Sequence, residues 1–216
     1  MSGDPTLWLI ARASGITTYG LITASMLAGL LLRSRPAPKR IRPAAVADAH
    51  RMLALLAFGA LALHATSLLL DGVAHISPAA LFVPGLAPKA RLAVAFGVLA
   101  GDLLLVIGLS SSIRRRIGFR AWRRLHWLTF GVFAAASAHG IMAGTDSHRP
   151  VMFWFYAASI AAVAGATAWR AMTAPARGRR PSAPVSAPVA AASAADGAAA
   201  RSGIAPSHAP VPLRAR

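Results

Sequence analysis

Five stretches of this 216-residue chain are long and apolar enough to fill a bilayer, and nothing constrains its fold more. A spanning helix needs about 20 mostly apolar residues. The first run covers about Leu7 to Leu32, broken only by Arg12. The second covers Met52 to Leu70 and the third Leu92 to Ile113, with Asp102 inside it. The fourth covers Leu125 to Gly144 and the fifth Val151 to Trp169. Pro, Gly or Arg clusters bound each run, as helix ends should be bounded. The expected fold is therefore all-α, a multi-pass bundle of five transmembrane helices. Composition agrees: 13% of residues are charged, where soluble domains carry about 25%. Met-Ser-Gly-Asp-Pro at the start lacks a basic segment and does not read as a cleaved signal peptide.

From Thr173 to Arg216 the pattern changes to Pro, Ala, Ser and Arg without a helical or strand period. The expected organisation is thus a membrane domain over residues 1–172 and a disordered cytoplasmic tail over 173–216.

The cations set an expected orientation. Arg33, Arg35, Lys39, Arg40, Arg42 and Arg51 fall at the first link, and Arg114, Arg115, Arg116, Arg120, Arg123 and Arg124 at the third. Arg170, Arg177, Arg179 and Arg180 open the tail. The other side has Arg12, Lys89, Arg91 and Arg149. The positive-inside rule puts the N-terminus outside and the C-terminus in the cytoplasm. It also accounts for the net charge of +17 without nucleic acid, since the cations are parcelled between apolar runs rather than gathered on one soluble face. The absence of cysteine excludes disulfides, thiolate metal sites, iron–sulfur clusters and thioether-linked haem.

Of seven histidines, His75, His148 and His208 fall in external links or the tail. The other four form a pattern. His50 and His64 sit at the start and toward the end of the second run, and His126 and His139 sit likewise in the fourth. These two spans run in the same direction, so His50 and His126 share one depth and His64 and His139 another. The separations are 14 and 13 residues, about 21 Å and 19.5 Å of helix rise. Each level can then be bridged by one b haem with an imidazole on each face, the two irons about 20 Å apart. With both axial positions filled, such iron favours outer-sphere electron transfer. Angles fit less well. Fourteen residues leave two side chains about 40° apart on an ideal helix, but thirteen leave them about 140° apart. Either the fourth span is distorted, near Gly131 or Gly140, or its two side chains reach the partner from opposite flanks.

Other residues carry two readings each. Arg51, Arg123 and Arg124 on the inner side, and Arg12 and Arg91 on the outer, either pair with haem propionates or serve topology and lipid headgroups. Asp102 either accepts a hydrogen bond from a histidine's non-ligating nitrogen or is a neutral, hydroxyl-bonded group. Gly97–Gly101 and Gly140–Gly144 admit either a haem or a neighbouring helix. Trp122, Trp127, Trp154, Phe155 and Tyr156 suit an interfacial belt.

The stretch from Trp122-Arg123-Arg124-Leu125-His126 through Ala138-His139-Gly140 to Gly144-Thr145-Asp146, with His50-Arg51 and Leu63-His64-Ala65, resembles the ferric reductase-like transmembrane domain. Transmembrane NADPH oxidases, ferric reductases and the haem-binding membrane subunit of the periplasmic methionine sulfoxide reductase system share that pattern. The resemblance covers about Leu7 to Met172. It implies two b haems, on His50 with His126 at the inner side and on His64 with His139 at the outer side. It also implies electron flow across a bacterial-type plasma membrane to an external acceptor. Two departures stand out. The histidine-bearing helices are usually third and fifth, and here they are second and fourth. Larger members also carry a flavin and nicotinamide domain, and no G-x-G-x-x-G follows a strand here, so a separate flavoprotein or quinol is the expected donor. A single-haem or quinol-linked cytochrome b of another family, a His-based metal transporter and a haemless scaffold are the competing readings.

Overall fold

The structure, a computed structural model, describes residues 5–32, 42–72 and 76–173. The expected tail, its cations Arg177, Arg179 and Arg180, the link residues Arg33, Arg35, Lys39 and Arg40, and His75 and His208 lie outside the described residues. Within them the regular structure is entirely helical. The helices are α1 (Pro5–Leu31), α2 (Pro43–Leu70), α3 (Arg91–Ser112), α4 (Arg114–Ile117), α5 (Phe119–His126), α6 (Thr129–Ala143) and α7 (Pro150–Thr173), with a short 3-10 turn at Pro78–Leu81. Pro5, Pro43 and Pro150 open their helices. There the missing N–H costs nothing and the ring pre-sets φ.

Four of these helices, α1, α2, α3 and α7, are long and apolar enough to cross a membrane among the described residues. The expected fourth span differs. It divides into α5 and α6, and the 15 residues of α6 rise only about 22 Å. At the junction the backbone tightens. The N–H groups of Trp127, Leu128 and Phe130 bond carbonyls three residues back, at Arg124, Leu125 and Trp127. The four-residue step resumes at Val132. This leaves the His126 carbonyl to the Thr129 hydroxyl, which donates to it at 2.8 Å.

Helix α1 packs along α2 and α3 along α6, while α2 and α6 barely touch each other. The molecule is thus two helix pairs with a gap between the histidine-bearing members. A core of Tyr19, Met26, Leu30, Phe133, Tyr156 and Val163 joins α1, α6 and α7. Tyr19 stacks on Phe133 with ring centroids 5.8 Å apart, and its hydroxyl meets Ser137 Oγ at 3.1 Å. Hydroxyls inside the apolar helices bond their own backbone, as Thr18 to Ser14, Thr23 to Tyr19 and Ser67 to Leu63. These hydroxyls are satisfied without water.

Candidate functional site

The gap between α2 and α6 is bridged twice by histidines. His50 faces His126 with ring centroids 6.1 Å apart and planes at 77°. His64 faces His139 at 6.2 Å and 75°. The order of the pairs, His126 closing α5 and His139 lying in α6, makes the α5–α6 segment run parallel to α2. The 140° mismatch is relieved at the α5–α6 junction. A 3-10 step turns about 120° rather than 100°. Three or four such steps rotate His126 some 60–80° back toward the face of His139.

Three of the rings sit in seats of one design. Each Nδ1 faces a backbone carbonyl on the neighbouring helix: His50 that of Ser25 at 2.7 Å, His64 that of Ala11 at 2.6 Å, and His139 that of Ala93 at 2.8 Å. A carbonyl only accepts, so Nδ1 carries the proton and Nε2 keeps its lone pair. One helical turn beyond each carbonyl stands a glycine. A Cβ on Gly97 would lie 2.7 Å from His139 Nδ1, one on Gly15 would lie 3.0 Å from His64 Nδ1, and one on Gly29 would lie 3.3 Å from His50 Cε1. The missing side chain is what lets each ring reach the carbonyl. Sequence reasoning singled out Gly97 only as a place for a haem or a helix to approach, and it missed Gly15 and Gly29, although these repeat the 14-residue separation of His64 and His50. His126 is placed differently, stacked on Trp122 with centroids 4.9 Å apart and planes at 26°.

The other expected residues divide. Arg12 reaches Asp146 at 2.7 Å and donates to Thr145 Oγ1 at 3.0 Å, tying α1 to the α6–α7 link. Arg149 approaches the same carboxylate at 3.6 Å. Arg12, Ile16, Asp146, Arg149 and Met152 line an open cavity of about 580 Å³. Arg51 is exposed and 3.5 Å from Asp48. Arg124 is exposed, as is Arg123, which lies over the Phe119 ring at 5.5 Å. The structure gathers none of Arg51, Arg123 and Arg124 into an ion pair with a residue of the gap. Asp102 is half-buried on α3, and it is not what His50, His64 or His139 bonds through Nδ1. Gly101 opens onto Leu61, and Gly140 onto the Tyr156 hydroxyl. Trp127 and Trp154 are exposed as a belt requires. Tyr156 is instead part of the core, with Phe155 packed against it.

Two questions decide what the pairs can hold. Metal–imidazole bonds of about 2 Å, together with the half-width of each ring, put two trans imidazole centroids about 6 Å apart. Both pairs meet that spacing. A bare zinc ion would want four ligands, and no group of three or more His or carboxylate side chains converges among the described residues. Two opposed imidazoles suit a metal whose remaining positions come from a planar macrocycle. The donor set therefore fits a b-type haem at each level.

Neither a curated protein nor a solved structure matches the chain. The family model described as "Ferric reductase like transmembrane component" matches residues 14–138, from α1 into α6 and through His50, His64 and His126. The match ends one residue before His139 and takes in more than half of the chain, which therefore belongs to the ferric reductase-like transmembrane family.

Proposed function

We propose that this chain is the transmembrane electron-transfer part of an oxidoreductase. It holds two b haems and carries electrons across a bacterial-type plasma membrane, from a cytoplasmic flavoprotein or quinol to an acceptor outside. The observation that carries the reading is the pair of matched histidine bridges, 6.1 Å and 6.2 Å across, on two parallel helices. In this reading five segments cross the bilayer, with α5 and α6 together forming the fourth. The N-terminus is outside, and the Arg-rich α4–α5 end with His50 and His126 is cytoplasmic.

A b haem held by each histidine pair would supply one-electron storage. The residues do the rest. His50, His64 and His139 each keep Nε2 for the gap, and His126 would be the fourth ligand. The carbonyls of Ser25, Ala11 and Ala93 hold the Nδ1 protons, and hydrogen bonds of this kind make the opposite nitrogen a better donor. Arg12, Arg51, Arg123 and Arg124 are the proposed partners for propionates. Of these, Arg12 is already committed to Asp146, which leaves it a shared donor.

The test is a reduced-minus-oxidised spectrum of membranes with pyridine haemochrome quantitation. Two b haems per chain are expected. His64→Ala or His139→Ala should remove the outer haem and spare the inner, and His50→Ala or His126→Ala the reverse. Protein that stays colourless after haem-replete expression, or that keeps both haems in all four variants, overturns the proposal.

A further inference from the structure

Three imidazoles are seated by a carbonyl with a glycine one turn on, and the fourth, His126, stacks on Trp122. On α1 the seat glycines, Gly15 and Gly29, are 14 residues apart. The same step along α3 from Gly97 reaches Ser111. Instead of admitting a ring to the backbone, Ser111 offers its hydroxyl, and the Trp122 indole N–H donates to it at 3.2 Å. Trp122 is half-buried and lies one turn before His126 in α5. Side chains four apart share a helix face, and here the two rings stack, 4.9 Å between centroids and 26° between planes.

We propose that Trp122, anchored to α3 by Ser111, is the positioning residue that sets the ring plane of His126. The inference rests on the two-haem reading and deepens it at the inner site. A histidine's outer torsion is broad, and a stacked neighbour narrows it for a ring at the end of an eight-residue helix. An aromatic stack favours one ring plane over the others, and the indole hydrogen bond keeps the stacking partner itself from turning. The tryptophan also couples the inner ligand to the basic surface helix. A shift of α5 against α3 is felt at His126 before it is felt at the other three rings.

The plane angle between two axial imidazoles sets the anisotropy of a ferric low-spin haem. Electron paramagnetic resonance therefore reads the proposal directly, in full-length protein in haem-replete membranes. His50→Ala and His64→Ala first assign the inner and outer signals. Trp122→Ala should then shift and broaden the inner signal and leave the outer one in place. Trp122→Phe, which keeps a stacking ring, should retain most of the wild-type line. Ser111→Ala should move the inner signal in the same direction as Trp122→Ala, by less. A merely structural tryptophan would alter haem content or both signals alike. An inner signal unchanged in both Trp122→Ala and Ser111→Ala overturns the proposal. Should Trp122→Ala fail to assemble, Ser111→Ala decides, and an unchanged inner signal there overturns it. Wild-type membranes without two low-spin signals overturn the two-haem reading and this inference with it, and that failure is visible before any substitution is read.

Discussion

A neutral imidazole has one nitrogen to give a proton from and one to give a lone pair from, so whatever claims Nδ1 decides what faces the gap. Here the claim is made by main chain, and main chain is reachable only where a side chain is missing. Gly97→Ala puts a methyl 2.7 Å from His139 Nδ1, inside any contact a real Cβ tolerates. The expected outcome is loss or displacement of the outer haem's band with the inner band retained, read in reduced-minus-oxidised spectra. Gly29→Ala, with 3.3 Å to the ring, should do less at the inner site. Gly59→Ala meets nothing within 4 Å and should leave both bands intact. The four histidines were legible in the sequence because their type and spacing carry chemistry. Their seats were not, because the seats are made of glycine and backbone, which say nothing about ligands until a neighbouring helix is in place. The repeated interval of Gly15 and Gly29 was the available clue.

At the scale of elements, the informative break lies between α5 and α6. Hydropathy sees one apolar run from Leu125 to Gly144, because a 3-10 turn changes hydrogen bonding and rotation but not composition. The angular misfit of His126 and His139 on an ideal helix makes a distortion one of two ways to align them. The junction at Trp127–Thr129 supplies it two residues before Gly131 and well away from Gly140. Inserting one alanine after Leu128 tests this, since each added residue rotates what precedes it by about 100° and shifts it by about 1.5 Å. Helix α6 remains packed on α3, so the outer pair should survive. His126 should swing off the gap, and the inner haem should be lost. Preservation of both haems would mean that the junction does not set the register. The apolar helices themselves were legible to within a few residues at most ends. The exception is α2, which starts at Pro43 rather than near Met52, because an alanine-rich approach with proline in the first turn extends the helix past the apolar run.

At the scale of the whole bundle, the end that carries Arg12 is held by charge as well as by packing. Arg12 and Asp146 meet at 2.7 Å with side chains 19% and 35% exposed, joining the first helix to the link before the last. Asp146→Asn should lower the thermal unfolding midpoint in detergent, by an amount equivalent to on the order of 1 kcal/mol. Arg12→Gln should cost about the same. The double variant should cost less than the sum, as paired residues do. Strict additivity would show that the contact contributes nothing.

Orientation also belongs to this scale, and the charge distribution argues it. Turning the bundle over would carry the Arg114–Arg124 segment through the bilayer with six guanidiniums and no acid to offset them. Each costs about 2.5–3.5 kcal/mol at the membrane centre. The outer links would spare far less, with Lys89, Arg91 and Arg149 beside Asp146. Because the chain has no cysteine, single thiols can be placed without background. Leu86→Cys lies in the exposed α2–α3 link and Ala121→Cys on the exposed side of α5. A membrane-impermeant maleimide should label the first in spheroplasts and the second only after lysis. The reverse pattern would place the Trp122–His126 stack on the outside, and electrons would then have to enter beside His64 and His139.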